Sequence, residues 1–245
     1  MKAREALFGS FKILGEKPIF LLPMIIVVVL SAVFNLLALG TLPTWFLPAF
    51  FVLYAIMIVL DLLVYGMYPS MVRDHIEKRE LNLKDSLHFS YHKFWSLLGA
   101  ILLAALVIVA VILAITIPLT LLFVYTQSPA AIIGMIIAMI IVAVLLTVFF
   151  YYIIPAILMD DMKAVAGFRR SIEVTKKNYL FTLLIILIPT AIIYAIYGVF
   201  IGLPMYLGAA NYISTLLMVI GSIVVLFITT WIAITMNYAY YNIRT

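Results

Sequence analysis

The 245-residue chain has no cysteine. That excludes disulfides, cysteine nucleophiles and cysteine-ligated clusters, and leaves the redox compartment open. Charge is scarce as well: 10% of residues are charged, against about 25% in a soluble domain. Apolar residues make up 67% of the chain, where a soluble domain holds about 45–50%. Water could not solvate a fold with that much apolar surface, so lipid must be the solvent. The apolar runs and their short connectors use up the sequence, leaving no room for a separate enzyme domain. Also missing are a plausible Ser-His-Asp arrangement, a glycine-rich phosphate loop and paired catalytic carboxylates in a cavity. The chain therefore reads as non-enzymatic and without a cofactor.

What is present is a set of long apolar runs. A membrane-spanning helix needs about 20 mostly apolar residues. Six runs qualify, at roughly 19–39, 46–70, 96–125, 130–158, 179–203 and 212–240. None shows the alternation of a membrane barrel, so each reads as a helix. The first starts at Ile19, after a charged stretch, and is longer than the apolar core of a signal peptide, so it reads as a span. Prolines 23, 118 and 189 lie inside runs and should kink their helices by removing a backbone donor.

Charge then sets an orientation. Three short loops, 40–46, 126–129 and 204–212, contain no charged residue. All 15 Lys and Arg lie on the opposite side: four before span one, five between spans two and three, five between spans four and five, and Arg244. Basic residues stay on the cytoplasmic side. The expectation is a multi-pass protein of the plasma membrane with both termini cytoplasmic.

A repeat runs through the chain. Ser10, Ser90 and Ser171 are spaced by 80 and 81 residues. Four positions earlier stands a small residue each time: Ala6, Ser86, Gly167. Three earlier and one later stand apolar or aromatic residues: Leu7 and Phe11, Leu87 and Tyr91, Phe168 and Ile172. These positions share a helix stripe with Leu14 and Phe94, and the third copy ends more weakly at Thr175. Each copy runs into a span, a neutral hairpin and a second span, and the second spans close on YGMYP (65–69), YYIIP (151–155) and NYAYY (237–241). The fold class expected is all-α: six transmembrane helices as three units of amphipathic surface helix plus helical hairpin. The units cover about 1–80, 81–160 and 161–245 of one integral membrane domain (1–245). An even number of spans per unit makes the copies parallel, related by an axis along the membrane normal.

One stretch carries a resemblance. Residues 155–179, PAILMDDMKAVAGFRRSIEVTKKNY, resemble the signature of the membrane domain of glycerophosphoryl diester phosphodiesterases and its stand-alone six-span relatives. The matching positions are Pro155, Ala156, Asp160 or Asp161, Ala166, Arg170, Ser171 and Lys177. The soluble barrel of the enzyme members is absent, so the resemblance implies a membrane fold and no phosphodiesterase activity. The three-unit layout is also geometrically similar to mitochondrial carriers. Their acidic signature does not follow Pro23, Pro118 or Pro189, so that likeness stays an analogy of architecture.

Three groups of residues could carry function. Arg169, Arg170, Lys176 and Lys177, with Ser171, lie beside the inner face, either as a cradle for lipid phosphates or a partner, or as topology anchors. Asp160 and Asp161 precede this helix and should stabilise its positive N-terminal end. Asp61 is the one charged residue inside a span. A charge at that depth costs roughly 2.5–3.5 kcal/mol on insertion scales. Its available neighbours are neutral: Tyr65 one turn on, Asn35 on span one. It reads either as a proton or cation site of a small transporter or channel, or as a protonated acid bonded between helices. Asp85, His88 and His92 share a helix face at a spacing that could hold zinc, but form the polar side of a surface helix, so no metal is expected. The partners expected are membrane lipids or another membrane protein. Nucleic acid is not, because the basic residues are dispersed over amphipathic helices.

Overall fold

The computed structural model describes residues 2–39, 47–202 and 211–244. Every element is helical: α1 (Ala3–Glu16), a 3-10 turn (Pro18–Phe20), α2 (Leu21–Leu39), α3 (Leu47–Ile76), α4 (Leu83–His92), α5 (Phe94–Thr126), α6 (Pro129–Phe150), α7 (Ile153–Met159), α8 (Ala164–Lys177), α9 (Tyr179–Tyr197), a π-helical extension (Gly198–Gly202) and α10 (Asn211–Ile243). Among the described residues, five helical stretches are long and apolar enough to cross a membrane: Pro48–Ile76, Phe94–Thr126, Ile132–Met159, Tyr179–Phe200 and Val219–Ile243. A sixth qualifies if α1 and the start of α2, bent by 100° at their junction, count as one. The chain is an all-α polytopic membrane protein.

The long helices form two tiers. The second span of each pair lies inside: α3, α7 at the end of α6, and α10 contact one another. The first spans wedge between them. Helix α2 lies against α3 and α10, α5 against α6 and α3, and α9 against α10 and α6. The surface helices close the pattern. Helix α4 packs on α3, α8 on α6 and α7, and α1 on α10. Each surface helix therefore sits on the inner helix that precedes it in the chain, and α1, having none, sits on the last.

Burial concentrates at the charged end of the bundle. Phe20, Met24, Tyr68, Met71, Tyr152, Ile157, Ile185, Ile234 and Tyr240 are enclosed there. Towards the other end side chains stand open, as at Leu121, Val124, Tyr125 and Ile133. That is the surface hydrocarbon would cover.

Helices α3, α5 and α9 run through Pro69, Pro118 and Pro189 without interruption. The ladder breaks between α6 and α7, at Tyr151 and Tyr152, where Pro155 has no N–H to give the carbonyl four residues earlier, and α8 supplies replacement partners. Ser171 Oγ donates to Phe149 O (2.7 Å) and accepts the Tyr152 N–H (3.1 Å). Thr175 Oγ1 donates to Val148 O (3.3 Å). Two hydroxyls from a neighbouring helix enter the backbone ladder and satisfy it where its own bonds stop.

Candidate functional site

The sequence singles out the serines of the surface helices, and the structure buries all three against an inner helix. Ser10, Ser90 and Ser171 are each fully buried. Ser90 Oγ donates to Leu63 O of α3 (2.9 Å), as Ser171 does to Phe149 O of α6. Ser10 Oγ lies 2.6 Å from Thr235 Oγ1 of α10 and accepts the Trp231 indole N–H at 3.0 Å. Leu63, Phe149 and Thr235 are equally spaced along the chain, but Ser10 meets a side-chain hydroxyl there and also donates to Leu7 O of its own helix (3.0 Å). Ala6, Ser86 and Gly167 are buried one turn away, and a Cβ on Gly167 would lie 2.4 Å from Ile157 Cγ1.

The apolar stripe divides. Leu7 and Leu14 are buried, but Phe11 is 63% and Tyr91 68% exposed, and Leu87 is exposed as well. In lipid there is no apolar driving force towards the protein, so small and hydroxylated residues make the helix contacts and large apolar ones can face outward. Thr175, the weak end of the stripe, is fully buried for the same reason.

Two members of the proposed headgroup cradle turn inward, which corrects the sequence reading. Ser171 is enclosed in the α6–α7 break and reaches no surface. Arg170 points into the bundle: its Nε lies 3.5 Å from Asp160 Oδ2, and its Nη2 donates to the Arg244 carbonyl. Asp160 also accepts from Tyr240 Oη (2.5 Å) and Arg244 Nη1 (3.1 Å). Burial works against the Arg170 charge, but the Tyr240 hydroxyl and the Asp160 carboxylate outweigh it and hold the guanidinium above its usual range. Arg169, Lys176 and Lys177 do face outward. Lys163, Arg169 and Arg170 line a depression of about 570 Å³ with Met162, Val165 and Glu173.

The acidic pair serves neither end of α8. Lys163 occupies the N-cap, and the first turn carries no acid. Asp160 ties α8 to α10 instead. Asp161, in a left-handed conformation with φ 54°, forms an ion pair with Lys93 (2.5 Å).

Asp61 is half-buried on α3, and its Oδ1 is enclosed with no hydrogen-bond partner among the described residues. Tyr65 follows one turn later on the same helix. The side chain of Asn35 lies outside the described residues. Asp85, His88 and His92 all lie on the exposed side of α4, and the two imidazoles meet edge-on with centroids 4.4 Å apart. Among the described residues, no three His, Asp or Glu side chains converge to hold a metal ion.

Across residues 1–242 the chain matches a family described as "Domain of unknown function (DUF7847)". The chain belongs to that family. No curated protein and no solved structure matches it.

For this DUF7847 member, the outward cations of α8 suit contact with phosphate, and the inward ones hold helices together. The Asp160 hub was the functional-looking feature that sequence reasoning misassigned. Its partners Tyr240 and Arg244 lie at the far end of the chain, and no local pattern links them to residue 160. The docking partners Trp231 and Thr235 were also missed. Their signal was the equal spacing with Leu63 and Phe149, legible only once one contact was known.

Proposed function

We propose that the protein is a non-enzymatic plasma-membrane protein with both termini cytoplasmic, whose surface helices engage lipid headgroups. The observation that carries this reading is the pairing of exposed cations with exposed apolar side chains. On α8 and the start of α9, Arg169, Lys176 and Lys177 stand beside Val165 and Leu180. On α1, Arg4 and Lys12 stand beside Phe8 and Phe11. Such a face lies in the plane of the interface, with its apolar residues in the acyl boundary and its cations at phosphate level. The three-unit register supports reading the chain as three copies of one element. The likeness of residues 155–179 to the phosphodiesterase membrane domain fits a membrane module without the enzyme.

The test is reconstitution into nanodiscs with increasing anionic lipid, counting retained lipids by mass spectrometry. Arg169→Gln/Lys176→Gln/Lys177→Gln should lower anionic-lipid retention, by about 1 kcal/mol per cation at low salt. Unchanged retention would count against the reading. A membrane protein docked on the same face would instead show as a partner displaced by the same variant.

A second reading rests on Asp61, whose enclosed and unpaired Oδ1 lies within a span. On this reading the protein is a small transporter or channel, with Asp61 the coupling site for a proton or cation. Ion flux in proteoliposomes that Asp61→Asn abolishes would favour it.

A further inference from the structure

Opposite charges facing one cavity ordinarily pair. At the junction of α3, α4 and the 160–161 turn, Arg73 is paired only at the edge of reach and Asp85 not at all. A cavity of about 460 Å³ is lined there by Arg73, Asp74, Asp85, His88, Phe89 and His92, and by the Lys93–Asp161 ion pair. The Arg73 guanidinium lies over the Phe89 ring, 5.2 Å from its centroid, and its Nε is enclosed without a hydrogen-bond partner. Its nearest acid is Asp74, a marginal contact at 4.0 Å, and Asp74 is shared with Ser70 and Arg79. Asp85, in the first turn of α4, makes no ion pair or hydrogen bond among the described residues. A guanidinium held by stacking and a free carboxylate thus share a cavity without meeting.

We propose that this cavity takes the headgroup of an ammonium-bearing phospholipid, with its phosphate on Arg73 and its ammonium on Asp85. The guanidinium fork suits two phosphate oxygens. A primary ammonium brings three donors to a carboxylate, and a trimethylammonium brings none. Three carboxylates face the cavity, Asp74, Asp85 and Asp161, against the two fixed cations Arg73 and Lys93. That balance works against a purely anionic headgroup and selects one that carries its own positive charge. The location agrees: Arg73 stands near the charged end of α3, and Trp95, 79% exposed on the first turn of α5, has the amphipathic ring that settles at headgroup level.

The inference shares with the headgroup reading only the placement of this face at the membrane boundary, and it uses none of the α8 cations. The test uses the full chain in phosphatidylcholine nanodiscs doped with phosphatidylethanolamine or phosphatidylglycerol, with bound lipids counted by native mass spectrometry. Phosphatidylethanolamine should be enriched over phosphatidylcholine by about fivefold, the scale of a partly exposed charge pair. Asp85→Asn, an exposed change that leaves the bundle intact, should erase that enrichment. Arg73→Gln should lower retention of every phospholipid at this site, and soluble O-phosphoethanolamine should compete. The α8 triple variant should leave the enrichment unchanged, so failure of one reading is separable from failure of the other. Equal retention of the two zwitterionic lipids, enrichment surviving Asp85→Asn, or no competition by O-phosphoethanolamine would overturn the proposal.

Discussion

Ser171 shows how much one hydroxyl holds in this protein. Its hydroxyl donates to Phe149 O and accepts the Tyr152 N–H, so it repairs both sides of the α6–α7 break. Ser171→Ala should leave a buried donor and a buried acceptor unpaired, at about 1–3 kcal/mol each. A lowered thermal midpoint in detergent, without loss of helix content, is the expected result. Asp61 is the contrasting case, since its enclosed oxygen has no bond to lose among the described residues. Asp61→Asn should leave the thermal midpoint within about 0.5 kcal/mol of the wild type, as for a change that breaks no native contact. A large drop would mean that Asp61 has a partner beyond the described side chains.

Helices α7, α8 and α10 meet at Asp160. Its carboxylate accepts from Tyr240 and Arg244, both on the closing turns of the chain, and faces Arg170 on α8. The two arginines are about a quarter exposed, so water screens part of the attraction. Asp160→Asn keeps the shape but leaves two guanidinium groups facing a neutral amide. It should destabilise by about 1–3 kcal/mol, below the full cost of stranding a buried charge. Hydrogen exchange should rise first in the last turns of α10, which are anchored there, and not in α5. The Lys93–Asp161 pair, with Asp161 mostly exposed, should contribute well under 1 kcal/mol by the same measurement.

As a whole, the molecule is tied together at one end. The three surface helices join the inner helices around a ring that α1 closes onto α10, while side chains towards the other end, such as Leu121, Tyr125 and Ile133, stand exposed in what would be hydrocarbon. All the basic residues lie at the tied end, so reporter fusions at residues 80 and 165 should report the inside. Fusions at 43, 127 and 208 should report the outside. Positions 43 and 208 fall outside the described residues, so this expectation rests on charge alone. An outside signal from 80 or 165 would also undo the three-unit reading, because each unit must enter and leave by one face. Removing α1 should uncover Trp231, whose indole N–H donates to Leu7 O and Ser10 Oγ, and shift tryptophan emission to the red.

The sequence by itself determined that the protein is helical and lives in lipid. Runs such as 96–125 carry no charge, and hydrocarbon leaves a backbone no solvent but its own helix. It also marked the three serines, because their spacing is a property of the chain. Only the tertiary structure decided which way each surface residue faces. Amphipathic periodicity puts Phe11 and Tyr91 on a stripe, but in a membrane both the protein interior and its surroundings are apolar, so the stripe alone cannot choose between them. Arg170 and Arg169 are neighbours of one type, yet one faces Asp160 and the other faces out. The difference comes from Tyr240 and Arg244, some 70 residues away in the chain and brought to Asp160 by the closure of the ring.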